Sequence, residues 1–224
     1  MHEMAKQFAE YCDRTFDVNS HSDYGYQSLS VCILDCVYSL RAKYYAITIP
    51  VVDRYAAAFM NGNRLADGDT VSMLIDRMDT YGLDKFRDVI LKNHQVLGGA
   101  NRIPKEKVCY QLAKYLQALH IETIEDFQRF ESREILEIVV RAVNGLGDAG
   151  VNYLFMLAGD PNRCKPDVHI HHCIRDALGY DVSNEECQEL FTEATLLLSN
   201  KYPYLTVRGL DGVVWRNYQI GNRR

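Results

Sequence analysis

The chain has 224 residues, 47% of them hydrophobic and 25% charged, with only five prolines and a formal charge of -5. Such a length gives one domain or two interleaved halves enough chain for a sizeable core. The net charge gives no support to nucleic-acid binding and mildly opposes it.

In chain order, residues 29–40 are apolar on most sides (Leu29, Val31, Ile33, Leu34, Val37), as a buried helix requires. Pro50 opens the next helix, Val51 to Phe59, because proline tolerates a first helical turn, and Asn61-Gly62-Asn63 ends it. Residues 70–79 and 83–92 read as short helices, and Gly98-Gly99-Ala100-Asn101 as a loop. Pro104 starts a helix over 105–119, whose Val108, Leu112, Tyr115, Leu116 and Leu119 recur at intervals of three and four. Thr123-Ile124-Glu125-Asp126 has the form of a capped start with acids in the first turn. Residues 132–143 form a further helix, and Leu210 to Trp215 a closing one, with Asp211 read as a helix cap and Trp215 as a core anchor. No period-two ladder, repeat or Pro/Ser-rich linker interrupts this series. The expectation is an all-α fold of about ten short helices.

The N-terminus lacks a basic region followed by an apolar core, so no secretory signal is expected. No apolar run is long enough to span a bilayer. Seven cysteines (12, 32, 36, 109, 164, 173, 187) are odd in number and scattered through helical patterns. They read as reduced thiols of a cytoplasmic protein, nucleoid-associated if its source is bacterial. Charge is unevenly spread. Lys201, Arg208, Arg216, Arg223 and Arg224 face Asp211 alone in the last stretch, and Arg102, Lys105, Lys107 and Lys114 face Glu106 in another. Both a basic face and ordinary solvated helix faces fit that pattern.

The most specific stretch is Val143-Asn144-Gly145-Leu146-Gly147-Asp148-Ala149-Gly150, an apolar helix after it, and then Lys165-Pro166-Asp167-Val168-His169-Ile170. Two helices joined by a Gly-x-Gly turn make a helix-hairpin-helix candidate. Glycine there admits positive φ and lets a ligand approach the backbone. The first amides of the second helix carry the positive end of its dipole and suit a phosphate. Asp167 is open to two readings, a helix N-cap after Pro166 or a carboxylate doing chemistry.

These residues resemble the helix-hairpin-helix/GPD DNA glycosylases of base excision repair. In that family a Leu-Pro-Gly-Val-Gly hairpin precedes a catalytic aspartate in a Val-Asp-Thr-His-Val-like segment. Ile33-Leu34-Asp35-Cys36-Val37-Tyr38-Ser39 resembles the family's apolar helix before a Ser-Ala-Gln-like turn, and Asn101-Arg102-Ile103-Pro104-Lys105-Glu106-Lys107 sits at its Asn/Lys-rich helix start. Most of residues 29–179 can be laid on the pattern, which departs at Asn144 for the hairpin proline and at Val168 for the threonine.

The resemblance implies an all-α fold of two helical subdomains with an interdomain cleft. One spans 29–158 and carries the hairpin; the other joins 1–28 to 159–224. It implies hydrolysis of the N-glycosidic bond of a modified or damaged base flipped from double-stranded DNA, in repair or in defence against modified DNA. Asp167 is then catalytic, and Gly145, Gly147, Ala149 and Gly150 hold DNA phosphate. The lysine that cuts the strand in bifunctional members falls at Ala149, 167 − 149 = 18 residues before the aspartate, so the product is an abasic site. Tyr44 and Tyr45, with Tyr38 and Trp215, are the base-pocket candidates, and Leu40 or Arg41 the wedge. No Cys-x6-Cys-x2-Cys-x5-Cys run follows, so no iron–sulfur cluster and no other cofactor is expected, leaving open a monovalent cation on the hairpin carbonyls. His169-Ile170-His171-His172-Cys173, with Cys164 and Asp167, lacks the paired spacing of a metal site, and no metal is expected. A monomer is expected. A non-catalytic helix-hairpin-helix DNA-binding module stays open as the alternative.

Overall fold

The computed structural model describes residues 1–20, 25–98 and 102–221. Twelve α-helices occur among them: α1 (His2–Thr15), α2 (Leu29–Ser39), α3 (Ile49–Phe59), α4 (Val71–Tyr81), α5 (Leu83–Lys85), α6 (Lys105–Ala118), α7 (Ile124–Arg129), α8 (Arg133–Arg141), α9 (Gly147–Leu157), α10 (Val168–Leu178), α11 (Asn184–Leu198) and α12 (Val207–Gly221). The only described sheet is a two-residue ladder, β1 (Val96–Leu97) antiparallel to β2 (Ile103–Pro104). The all-α expectation therefore holds. The loop expected at 98–101 lies, beyond Gly98, outside the described residues, as does Asn101.

Local chemistry explains the helix starts. Thr70 caps α4 by accepting the Met73 amide at 3.2 Å. At α7, Thr123 and Asp126 satisfy one another's backbone amides as a capping box, and Ser183 and Glu186 do the same at α11. Each such cap stabilises its helix by about 1 kcal/mol. Pro50 sits in the first turn of α3, where its missing N–H costs nothing. The expected helix over 83–92 is only briefly α-helical. After α5 the backbone widens into a π-helical turn, Phe86–Leu91, and ends on Lys92 in the left-handed region. A second π-turn, Tyr44–Thr48, precedes α3.

The chain divides into two compact units, Gly25–Gly159 and Met1–Tyr24 with Asp160–Arg224. In the first unit α2 is the axis: all eleven of its residues are buried. α3, α4, α6 and α9 pack on it. In the second unit α1 packs on α10 and α11, and α12 covers α10. Its core holds Phe8, Phe191, Leu190, Ile174, Leu210 and Val214, with Cys12, Cys164, Cys173 and Cys187 buried among them. All seven cysteines are free and buried.

Candidate functional site

The Gly-x-Gly turn lies in the first unit. Ser132 caps α8, and at the other end the amides of Ala142, Val143 and Leu146 bond back to Ile138, Val140 and Val143. The turn then needs two left-handed residues, Gly145 at φ +92° and Gly147 at φ +59°. Both are exposed, Ala149 is half-buried and Gly150 is buried. Gly150 has a packing reason: a Cβ there would sit 2.8 Å from Leu146 Cγ and 3.2 Å from Leu40 Cδ1. Leu146 caps α9 without a side-chain hydrogen bond. The first-turn amides of such a helix end have no intrahelical acceptor. One carboxylate already stands there: Asp148 pairs with Arg141, which also binds Glu137 at 2.9 Å. Arg141 thus links α8 to the start of α9.

Near this turn, the last residues of α2 and those that follow it have distinct placements. Tyr38 is wholly buried, and its hydroxyl has no hydrogen-bond partner among the described residues. It is a core residue and offers no ring to a base. Leu40 is buried at 8% exposure under Gly150, so of the two wedge candidates only Arg41 is exposed, with a left-handed φ of +53°. Buried Lys105 fixes this bend from beneath, donating to the carbonyls of Tyr38 at 3.0 Å and Leu40 at 2.7 Å and to Gln95 Oε1 at 2.8 Å. Tyr44 is half-buried and Tyr45 exposed, their rings edge-to-face at 5.5 Å.

A buried carboxylate organises the same region. Asp35 on α2 accepts hydroxyl bonds from Tyr26 at 2.6 Å, Tyr44 at 2.7 Å and Tyr153 at 2.9 Å. Burial, with the charge of Asp35, pushes the Tyr26 and Tyr44 phenols far up, so they stay donors. The cage ties the π-turn and α9 to α2. Its only sequence signal is an aspartate inside an otherwise apolar helix.

Asp167 lies in the second unit and caps α10. Its Oδ1 accepts the amides of His169 at 2.9 Å and Ile170 at 3.3 Å, and the residue is half-buried. The positive end of the helix dipole therefore faces this carboxylate. Trp215, half-buried, meets the His169 ring edge-on at 6.3 Å. Beside them is Asp211, which is a helix-interior residue of α12 and no cap of it. Its Oδ1 accepts the Lys165 amide at 2.8 Å. Burial pushes the Asp211 carboxyl up to about 8; the Lys165 amide opposes this and the charge of Asp167 adds to it. Two carboxyl groups of one unit are thus held in different environments, one capping and half-open, one dry. The Asp-x-x-x-Trp spacing on α12 was the only sequence trace of this second acid.

The histidine run is not gathered into a cluster. His171 bonds Asp181 at 2.7 Å and Asn184 at 3.0 Å, Cys173 is in the core, and buried Cys164 lies 3.8 Å from Cys187 Sγ. No group of three His, Cys, Asp or Glu side chains is arranged to hold a metal ion among the described residues. No described helix is long and apolar enough to cross a membrane.

No curated protein matches the chain. A family model described as "Domain of unknown function (DUF8548)" matches residues 6–219, nearly the whole chain, and the protein belongs to that family.

Proposed function

We infer that the protein is a monofunctional DNA glycosylase of the helix-hairpin-helix type, which removes a modified or damaged base from duplex DNA and leaves an abasic site. The observation that carries the reading is Asp167: a half-buried carboxylate, anchored through one oxygen by two first-turn amides. Rupture of the N-glycosidic bond leaves its electron pair on the base and builds positive charge on the sugar. A fixed carboxylate stabilises that charge and orients the water whose oxygen bonds to the anomeric carbon, while the water's proton is passed on to the departing base. The base must first leave the stack.

The turn at Gly145 and Gly147 supports the binding half of the reading. It is exposed, left-handed at both glycines, and opens a helix with no side-chain cap. Backbone grip on phosphate of this kind needs no basic surface, which suits a chain of net charge -5. Ala149 carries no amine to attack the sugar, so water is the acceptor. Tyr45 and Arg41, both exposed, are the remaining contact candidates of those expected at the base pocket and wedge.

One observation favours a second reading, a DNA-binding module without chemistry: capping α10 already gives Asp167 a structural role. Incubation with duplexes carrying single modified bases, with and without alkali, separates the two. The glycosylase reading expects alkali-dependent strand breaks at one modified base. Absence of breaks across the panel with duplex binding intact would favour the module, and breaks without alkali would overturn the hydrolytic assignment of Ala149.

A further inference from the structure

We propose that the second unit carries a nucleotide-binding pocket between α1, α10 and α12, which takes a planar heteroaromatic base together with its phosphate. The proposal is independent of the glycosylase reading, and neither Asp167 nor Asp211 lines the pocket. Its volume of about 540 Å³ falls within the ~300–1,000 Å³ range of small-ligand sites.

The walls are aromatic and held in place. Phe16 meets Tyr11 edge-on at 6.0 Å and Tyr218 at 6.2 Å. The Tyr11 and Tyr218 hydroxyls are 3.0 Å apart, and Tyr218 donates to Asp176 Oδ2 at 2.7 Å. These bonds fix both rings before any ligand arrives, which lowers the entropic cost of stacking a flat ring.

Polar groups on the rim are only partly used. Asn217 donates one amide hydrogen to Val213 at 2.8 Å, and its carbonyl and second hydrogen meet no partner among the described residues. Asp176 has a second oxygen beyond the one holding Tyr218, suited to a ring amine. His172 and Arg175 lie one turn apart on α10 and line the pocket together. Arg175 spends Nη1 on Asp181 at 2.5 Å, leaving the rest of its fork for an anion. An aromatic wall, an amine acceptor and a guanidinium match a nucleotide whose base bears an exocyclic amine. A bare anion would use one of these features, and a bare ring would leave Arg175 unused.

Calorimetric titration of the full chain tests this with AMP, CMP and UMP, with adenosine and ribose 5-phosphate as half-ligands, and with a short single strand bearing a 5′-phosphate. AMP or CMP should bind at least about tenfold tighter than UMP or either half-ligand. Arg175→Ala should weaken AMP by about tenfold or more and leave adenosine unchanged, which also reports that the pocket is still folded. The oligonucleotide arm tells a free nucleotide from a strand end. Equal binding of AMP and ribose 5-phosphate, no binding of any nucleotide at millimolar concentration, or AMP affinity indifferent to Arg175→Ala would overturn the proposal.

Discussion

Replacing Asp211 by Asn should make the protein more stable at neutral pH. Asn keeps a carbonyl oxygen for the Lys165 amide, which Asp211 accepts at 2.8 Å, and removes the titration. Burial raises the folded carboxyl to about 8 from an ordinary 3.8. Below 3.8 both states hold the proton, and between 3.8 and 8 only the unfolded chain releases it. The folded wild type therefore binds more protons across this window and loses stability as pH rises through it. At pH 7 the gap is about three pH units, which at 1.36 kcal/mol each sets a ceiling of about 4 kcal/mol. Urea unfolding at pH 4 and pH 7, followed by fluorescence of Trp215, reads the right region. It is the single tryptophan and lies one turn along α12 from Asp211. The Asn variant should unfold at a clearly higher urea concentration than wild type at pH 7, by about 1 M or more, and at nearly the same concentration at pH 4. Equal midpoints at pH 7, or a variant weaker at both pH values, would refute the assignment of a dry, protonated acid.

Other expectations follow from the same geometry. Gly145→Ala forces a left-handed alanine whose Cβ would crowd Leu97 Cβ at 3.3 Å, whereas at Gly147 a Cβ meets nothing within 4 Å. Gly145→Ala should cost about 1–3 kcal/mol and Gly147→Ala about 1 kcal/mol; equal costs by urea unfolding would contradict the crowding at Leu97. All seven cysteines are free and buried, so a thiol reagent should find almost none in the native protein and seven in denaturant. Burial keeps the Cys32 and Cys109 thiols well above their ordinary range, which slows reaction further. Rapid native labelling of several thiols would contradict the described packing.

What could be read in the sequence was local. The Thr123–Asp126 capping box, the proline opening α3 and the apolar α2 each declare themselves within a few residues. So did the Gly-x-Gly turn, since Gly145 and Gly147 both take the left-handed φ that glycine permits. Long-range partnerships left no such trace. The Asp35 cage draws on Tyr26, Tyr44 and Tyr153, the last 118 positions from its acceptor, and the Lys165–Asp211 bond spans 46 positions. Tyr38 shows the same limit: an aromatic near a turn has one sequence pattern whether it faces solvent or, as here, the core. The π-turn Phe86–Leu91 keeps helical periodicity closely enough to pass for an α-helix until its hydrogen bonds are seen.

The central claim rests on the charge of Asp167, and Asp167→Asn isolates it. Asparagine caps a helix about as well as aspartate, so α10, which depends on the bonds from His169 and Ile170, should persist. Single-turnover release of the excised base, on the duplex found active with the wild type, is the direct measurement. The account predicts a fall of about a hundredfold or more with duplex affinity and thermal midpoint nearly unchanged. Base release by Asp167→Asn at the wild-type rate would contradict it.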